Sequence, residues 1–229
     1  MTTPVSLWPL ALIRESNDAA ALFSRGLDAL RAIRHDYTDA VAVMSLLALG
    51  AEKMLKLTIG LASRDQGAAW PSKDHMRRNI GHRVLKADQV ARPLLDTHSG
   101  TAPGMLADLK QQVNHDPVVP QALRALDRFG DAGRFYFLDT LASANQLQDA
   151  PQTLWAEMTA AIAEGNSDLL ADLASPDRYS HGRRQLNDTV TSALTRWWHL
   201  YATAWRTGAI GDEAKQYASE LDLQTSARD

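Results

Sequence analysis

TDAVAVMSLLALGAEKMLKLTIGLA, Thr38 to Ala62, is an almost unbroken apolar run with Glu52, Lys53 and Lys56 set into its second half. It shows no period-2 alternation. At about 100° per residue, Val43, Leu46, Leu47, Gly50, Met54, Leu57 and Leu61 share one broad face, which is the pattern of a core helix. Glu52, Lys53 and Lys56 fall on the remaining strip beside Leu49. Glu52 precedes Lys56 in the favourable i,i+4 order, worth only ~0.2–0.5 kcal/mol when exposed. Two readings follow: a solvated edge, or charges held in a polar seam between helices.

The rest of the chain has the same character. Ala, Leu, Arg and Gln recur at helical spacing and no segment alternates like a strand. Caps, prolines and glycines set the expected boundaries. The first helix is expected from Asn17-Asp18 to about Arg34, and the second from Thr38-Asp39 to about Ser63. A third covers about His82 to Ala91 and is ended or redirected at Pro93, and a fourth follows Pro103. Another follows Pro120, with Gly130 and Gly133 as a break. A further helix starts at Pro151, and two more follow, over LNDTVTSALTRWWHLYATAWRTG and GDEAKQYASELDL. Residues 64 to 81 and 175 to 184 read as polar connectors. The expected fold is all-α: one domain over 1–229, with the C-terminal helices, about 166–229, packed on it as an extension.

The 229 residues are 45% hydrophobic and 22% charged, an ordinary globular balance. With a formal net charge of -3 and a pI near 6.2, there is no domain-wide basic field, so contact with nucleic acid has to be local. The chain has no cysteine, hence no disulfide and no thiolate metal site. MTTPVSLWPLALIRES has neither a basic lead nor a cleavage site, and the longest apolar stretch, Ala40 to Ala51, is shorter than the ~20 residues of a membrane span. A cytoplasmic protein without membrane contact is expected.

A family resemblance gathers around the opening stretch. AEKMLKL, a loop with Trp70-Pro71, and then GHRVLKA follow one another as Glu-Lys-x-Leu-Lys and Gly-His-x-x-Leu do in bacterial HEPN-like helical domains. Arg83 stands where that group has Asp. Downstream, RFYFLD and DAPQTLW resemble the group's Arg-aromatic-aromatic-x-Leu-Asp helix and its Asp-x-Pro-x-x-x-Trp start. These pieces span about residues 40 to 165. The resemblance implies a four-helix up-down core over about 17–165, often dimeric, in a group holding RNA-cleaving toxins and defence proteins alongside inactive, nucleotide-binding or scaffolding members. Its active nucleases need no metal and place an Arg before a His with four to six residues between them, near a dimer interface. The Arg meets phosphate charge and the His moves a proton.

Arg77 with His82 and Arg92 with His98 match that spacing, but in a chain this rich in arginine such matches also arise by chance. By position in the resemblance, Arg134 takes the place of the motif arginine and Asp139 that of the histidine. An aspartate, ionised at neutral pH, is a poor proton donor and repels phosphate. The bland reading of Arg134 and Asp139 is a polar pair tying neighbouring helices together. The catalytic candidates are therefore Arg134, Asp139, Arg77 and His82. The expected ligand pocket gathers Glu52, Lys53, Lys56, His82 and Arg134, although His82 fits a turn cap or a polar seam equally well.

DRYSHGRR is the sharpest basic patch, with Tyr179 among Arg178, His181, Arg183 and Arg184, a composition suited to phosphate contact and base stacking as well as to a solvated loop. Trp197, Trp198, Tyr201 and Trp205 read as core or as a dimer contact. No Gly-rich phosphate loop, HExxH or G-x-S-x-G elbow is present, and no metal or cofactor is expected. The resulting expectation is a binding or dimerising protein of RNA-related or nucleotide-related defence or stress, with a degenerate catalytic motif. It would be a homodimer or the partner of a neighbouring gene's product. The alternatives are an active metal-independent ribonuclease and a purely structural helical partner.

Overall fold

Helix α1 runs over Leu7–Arg31 and helix α2 over Asp36–Asp65, joined by a short turn. They form the most extensive helix pairing in the chain. Their backbones approach closely: a Cβ at Gly50 would stand 2.8 Å from the Phe23 nitrogen. Helix α1 begins ten residues before Asn17, since Pro9 in its first turn removes only an N–H that has no helical partner there. Asn17 and Asp18 therefore lie inside the helix. Their side chains make tertiary contacts instead, Asn17 with Glu220 at 2.6 Å and Asp18 with Lys53 at 3.6 Å.

The computed structural model describes residues 7–98, 101–142, 145 and 147–224. Past α2, a short helical turn α3 (Lys73–His75) and a π-helical turn (Met76–Ile80) occupy the expected connector. Helix α4 (Val84–Ala91) passes into a 3-10 turn at Pro93, followed by α5 (Pro103–His115). Helix α6 (Val118–Asp131) buries Val119, Ala122, Leu123 and Leu126, a stripe at helical spacing. It breaks at Gly133 into a 3-10 turn and α7 (Tyr136–Leu141). Helices α8 (Pro151–Glu164), α9 (Ser167–Ala174), α10 (Tyr179–Thr207) and α11 (Asp212–Gln216) complete the chain. The fold is an all-α bundle, with no strand among the described residues. No described helix is long and apolar enough to cross a membrane.

Two expectations change at the C-terminal end. Residues 179–184 are not a connector but the first turns of α10; Gly182 continues the helix because α9 packs tightly against it at Asp172. Nor is α10 an outer extension. Trp197, Trp198, Tyr201 and Trp205 are fully buried, and the helix packs on α1, α5, α6 and α9. Phe23 stacks on Trp198 with ring centroids 4.5 Å apart, and Trp205 Nε1 donates to Thr58 Oγ1 at 2.8 Å. The aromatic stripe is core within one chain and is not free to form a dimer contact.

Candidate functional site

Two groups of polar residues compete for the role of functional site, and the first lies on α2. Glu52 is 9% exposed, so it does not edge a solvated strip. Lys56 Nζ donates to its Oε1 at 2.7 Å, and His82 Nδ1 lies 3.1 Å from both carboxylate oxygens. The His82 backbone is fixed by α6: its carbonyl oxygen occupies the space that a Cβ on Gly130 would need, so only glycine fits there. One turn earlier on α6, Asp127 caps the start of α4, accepting from the amides of Leu85 at 2.9 Å and Lys86 at 3.4 Å, and from Arg83 Nε at 3.3 Å. The cap absent from position 83 is thus supplied across space.

Of the five expected ligand residues, the structure brings together Glu52, Lys56 and His82. Lys53, one step of about 100° round the helix, turns to Glu15 at 2.5 Å on α1. Arg134 is exposed, with its guanidinium 5.2 Å from the Phe135 ring centroid and no hydrogen bond or ion pair among the described residues. It does not tie helices together with Asp139, because α7 packs chiefly on the turn before it. Phe135, Phe137, Leu138 and Leu141 stay exposed there. A carboxylate met by a lysine and a histidine side chain is internally satisfied, and this arrangement reads as a clasp between α2 and the start of α4.

The Arg-x-His spacings are also taken up elsewhere. His98 Nε2 lies 2.5 Å from Asp65 Oδ2. Arg92 grips Asp88 through Nε at 3.1 Å and Nη2 at 2.9 Å. Trp197 Nε1 and Tyr201 Oη donate to the same carboxylate at 2.7 and 2.8 Å. Burial, and then the Asp88 charge, pushes the Tyr201 phenol well above its ordinary range. This buried hub escapes a reading of VLKADQVA, where Asp88 looks like a surface residue. The available signal is the polar tip of each core aromatic, which needs an acceptor. Arg77 is exposed on the π-helical turn.

The second group gathers at a cleft of about 580 Å³ between the α1–α2 turn and the start of α10. Arg31, Arg34 and His35 line it from the turn, and Tyr179, Arg183 and Arg184 from α10. The turn is held on both sides. Asn187 Nδ2 donates to the carbonyls of Ile33 at 2.9 Å and Arg31 at 3.3 Å, while Asp39 accepts from the amides of Arg34 at 2.9 Å and His35 at 3.0 Å. Those amides, His35 first and Arg34 second, hold the Asp39 carboxyl below its ordinary range.

Charge inside the cleft is unevenly committed. Arg183 is 7% exposed and clamps Asp36 with both terminal nitrogens, Nη1 to Oδ2 at 2.9 Å and Nη2 to Oδ1. Arg31 pairs with Asp28 at 3.1 Å. Arg34 and Arg184 are exposed and have no ion-pair partner among the described residues. Tyr179 is 40% exposed. The other two residues of the basic patch leave the cleft: Arg178 and His181 face Asp172 at 2.8 and 3.7 Å. Arg31, Arg34 and His35 do not figure among the site residues read from the sequence. RAIRH carries the signal, as three cationic or titratable side chains within five residues, but looks like an ordinary basic helix end.

No protein-family model, curated protein or solved structure matches the chain.

Proposed function

We propose that this chain is an HEPN-like helical protein of bacterial defence or stress that binds RNA or a nucleotide in the α1–α10 cleft without cleaving it. The carrying observation is the convergence of Arg34, Arg184, His35 and Tyr179 on one cleft whose walls are fixed by Asp39 and Asn187. Guanidinium groups recognise phosphate oxygens in a fork, and a partly exposed tyrosine offers a face to a base. The local positive charge supplies what a net charge of -3 does not.

Binding is favoured over catalysis by how the candidate catalytic residues are used. His82 and His98 each face a carboxylate, Arg92 is committed to Asp88, and Asp139 stands in the position of a proton-transferring histidine. A homodimer, or a partner from a neighbouring gene, belongs to the same reading; the exposed apolar side chains of α7 give it a surface. The cytosol is the compartment for such a role.

The test is fluorescence anisotropy with a labelled single-stranded RNA, paired with a cleavage assay in EDTA. We expect salt-dependent binding that Arg34→Ala with Arg184→Ala weakens by about tenfold or more, with the salt slope falling by ~0.7 for each phosphate no longer neutralised. The RNA is expected to stay intact. Cleavage that His82→Ala abolishes would establish the ribonuclease reading instead, and affinity unchanged in the double variant would remove the cleft from the binding site.

A further inference from the structure

The N-terminus of α10 opens onto the cleft. Tyr179 and Ser180 are its first two residues and both line the cavity. The preceding Arg178 provides no side-chain cap, and among the described residues nothing accepts from the amide N–H of Tyr179 or Ser180. In a helix of 29 residues these amides form the positive end of the dipole. A second observation comes from Arg183 on the same wall: it is 7% exposed, yet its Nε is buried with no hydrogen-bond partner. A buried guanidinium N–H left without an acceptor is costly. The uncommitted guanidinium groups of Arg34 and Arg184 complete a set of donors with no acceptor among them.

Such a set favours a compact anion of high charge over a strand passing through. A phosphodiester carries one negative charge, whereas a phosphate monoester carries about -1.5 to -2 at neutral pH and offers three acceptor oxygens. We propose that the start of α10, with Arg34 and Arg184, seats a terminal phosphate monoester, the adjoining nucleoside lying against Tyr179. The inference rests on the nucleotide or RNA reading of the cleft and narrows it to phosphorylated ends. A 5′-phosphorylated RNA and a free nucleoside monophosphate share this chemistry.

The experiment measures affinity of the full chain for four probes: a 5′-phosphorylated single-stranded RNA, the same RNA with a 5′-hydroxyl, a nucleoside monophosphate and inorganic phosphate. We expect the 5′-phosphate to tighten RNA binding by about tenfold or more, and Arg34→Ala with Arg184→Ala to reduce that preference to about twofold or less at unchanged helicity. Tyr179→Ala is expected to weaken both RNAs alike. Competition by the nucleoside monophosphate at comparable affinity identifies a mononucleotide as the source of the phosphate, and its failure to compete identifies an RNA end; either supports the seat. Equal affinity for the two RNAs overturns the terminal-phosphate proposal while leaving RNA binding in place. A 5′-phosphate preference that survives the double variant puts the seat elsewhere and also overturns it. Absence of binding to all four probes overturns this inference and the binding function together.

Discussion

Removing the Glu52 carboxylate leaves Lys56 and His82 without their shared acceptor on a side of α2 where Glu52 itself is only 9% exposed. A surface ion pair would cost about 0.5 kcal/mol or less, whereas an unpaired buried donor costs about 1–3. The His82 side chain is 54% exposed and regains water, so the lower part of that range applies. We expect Glu52→Ala to cost about 1–2 kcal/mol in urea unfolding, with a Glu52–His82 coupling of about 0.5 kcal/mol and a Glu52–Arg134 coupling of zero. Vanishing coupling with His82 would return the charges to a solvated edge. At this scale the sequence is informative in proportion to locality. The i,i+4 spacing alone pairs Glu52 with Lys56, while the nearness of His82 comes only through the resemblance. Asp88 is illegible, because nothing local to it announces that Trp197 and Tyr201 arrive from more than a hundred residues away.

Among the helices, starts are harder to read than existence, and the reason is where the capping groups sit. Helix α2 starts at Asp36, and Asp39 reaches back from inside it to the Arg34 and His35 amides. Helix α4 takes its cap from Asp127, and α9, capped by Asn166 through the Asp168 and Leu169 amides, has no counterpart among the helices expected from the sequence. The Asp39 bonds have a pH consequence. They favour the ionised carboxylate, so the folded-state pKa lies below the ordinary value of 3.8. The contribution is therefore fully present above that value and disappears as pH falls through the lower, folded-state pKa. We expect stability to fall between about pH 5 and pH 2 by less in Asp39→Asn than in the wild type, because the variant has already lost this charge. Parallel acid titrations of unfolding free energy test it, and identical slopes would mean that Asp39 does not anchor the turn. The same bonds position Arg34 and His35, so the RNA affinity proposed for the cleft is expected to weaken with Asp39→Asn as well.

Across the whole molecule, one apolar core runs from Leu12 on α1 to Leu221 beyond α11. Helix class is legible for most of the chain because it depends on local periodicity, but the position of α10 is not, since which helix lies inside is decided by pairings distant in sequence. Aromatics such as Trp197, Trp198 and Trp205 each bury about 150–250 Å², and here they fill space between α10 and helices that a core confined to residues 17–165 would have to close by itself. Trp198 Nε1 also donates to the Leu221 carbonyl at 2.9 Å, which draws the chain end into the same unit. A truncation after residue 165 removes all these side chains and exposes Phe23, Leu27 and Leu30 of α1, which are buried in the intact fold. At about 1.5–3 kcal/mol for each large apolar side chain left unburied, these three alone approach the ~5–15 kcal/mol that holds a domain folded. We therefore expect the fragment 1–165 to show no cooperative unfolding transition. The full chain is expected to melt in one transition, with tryptophan fluorescence and far-UV circular dichroism coinciding along the denaturant axis. A fragment that unfolds cooperatively, or two separated transitions in the full chain, would make α10 an appended element after all.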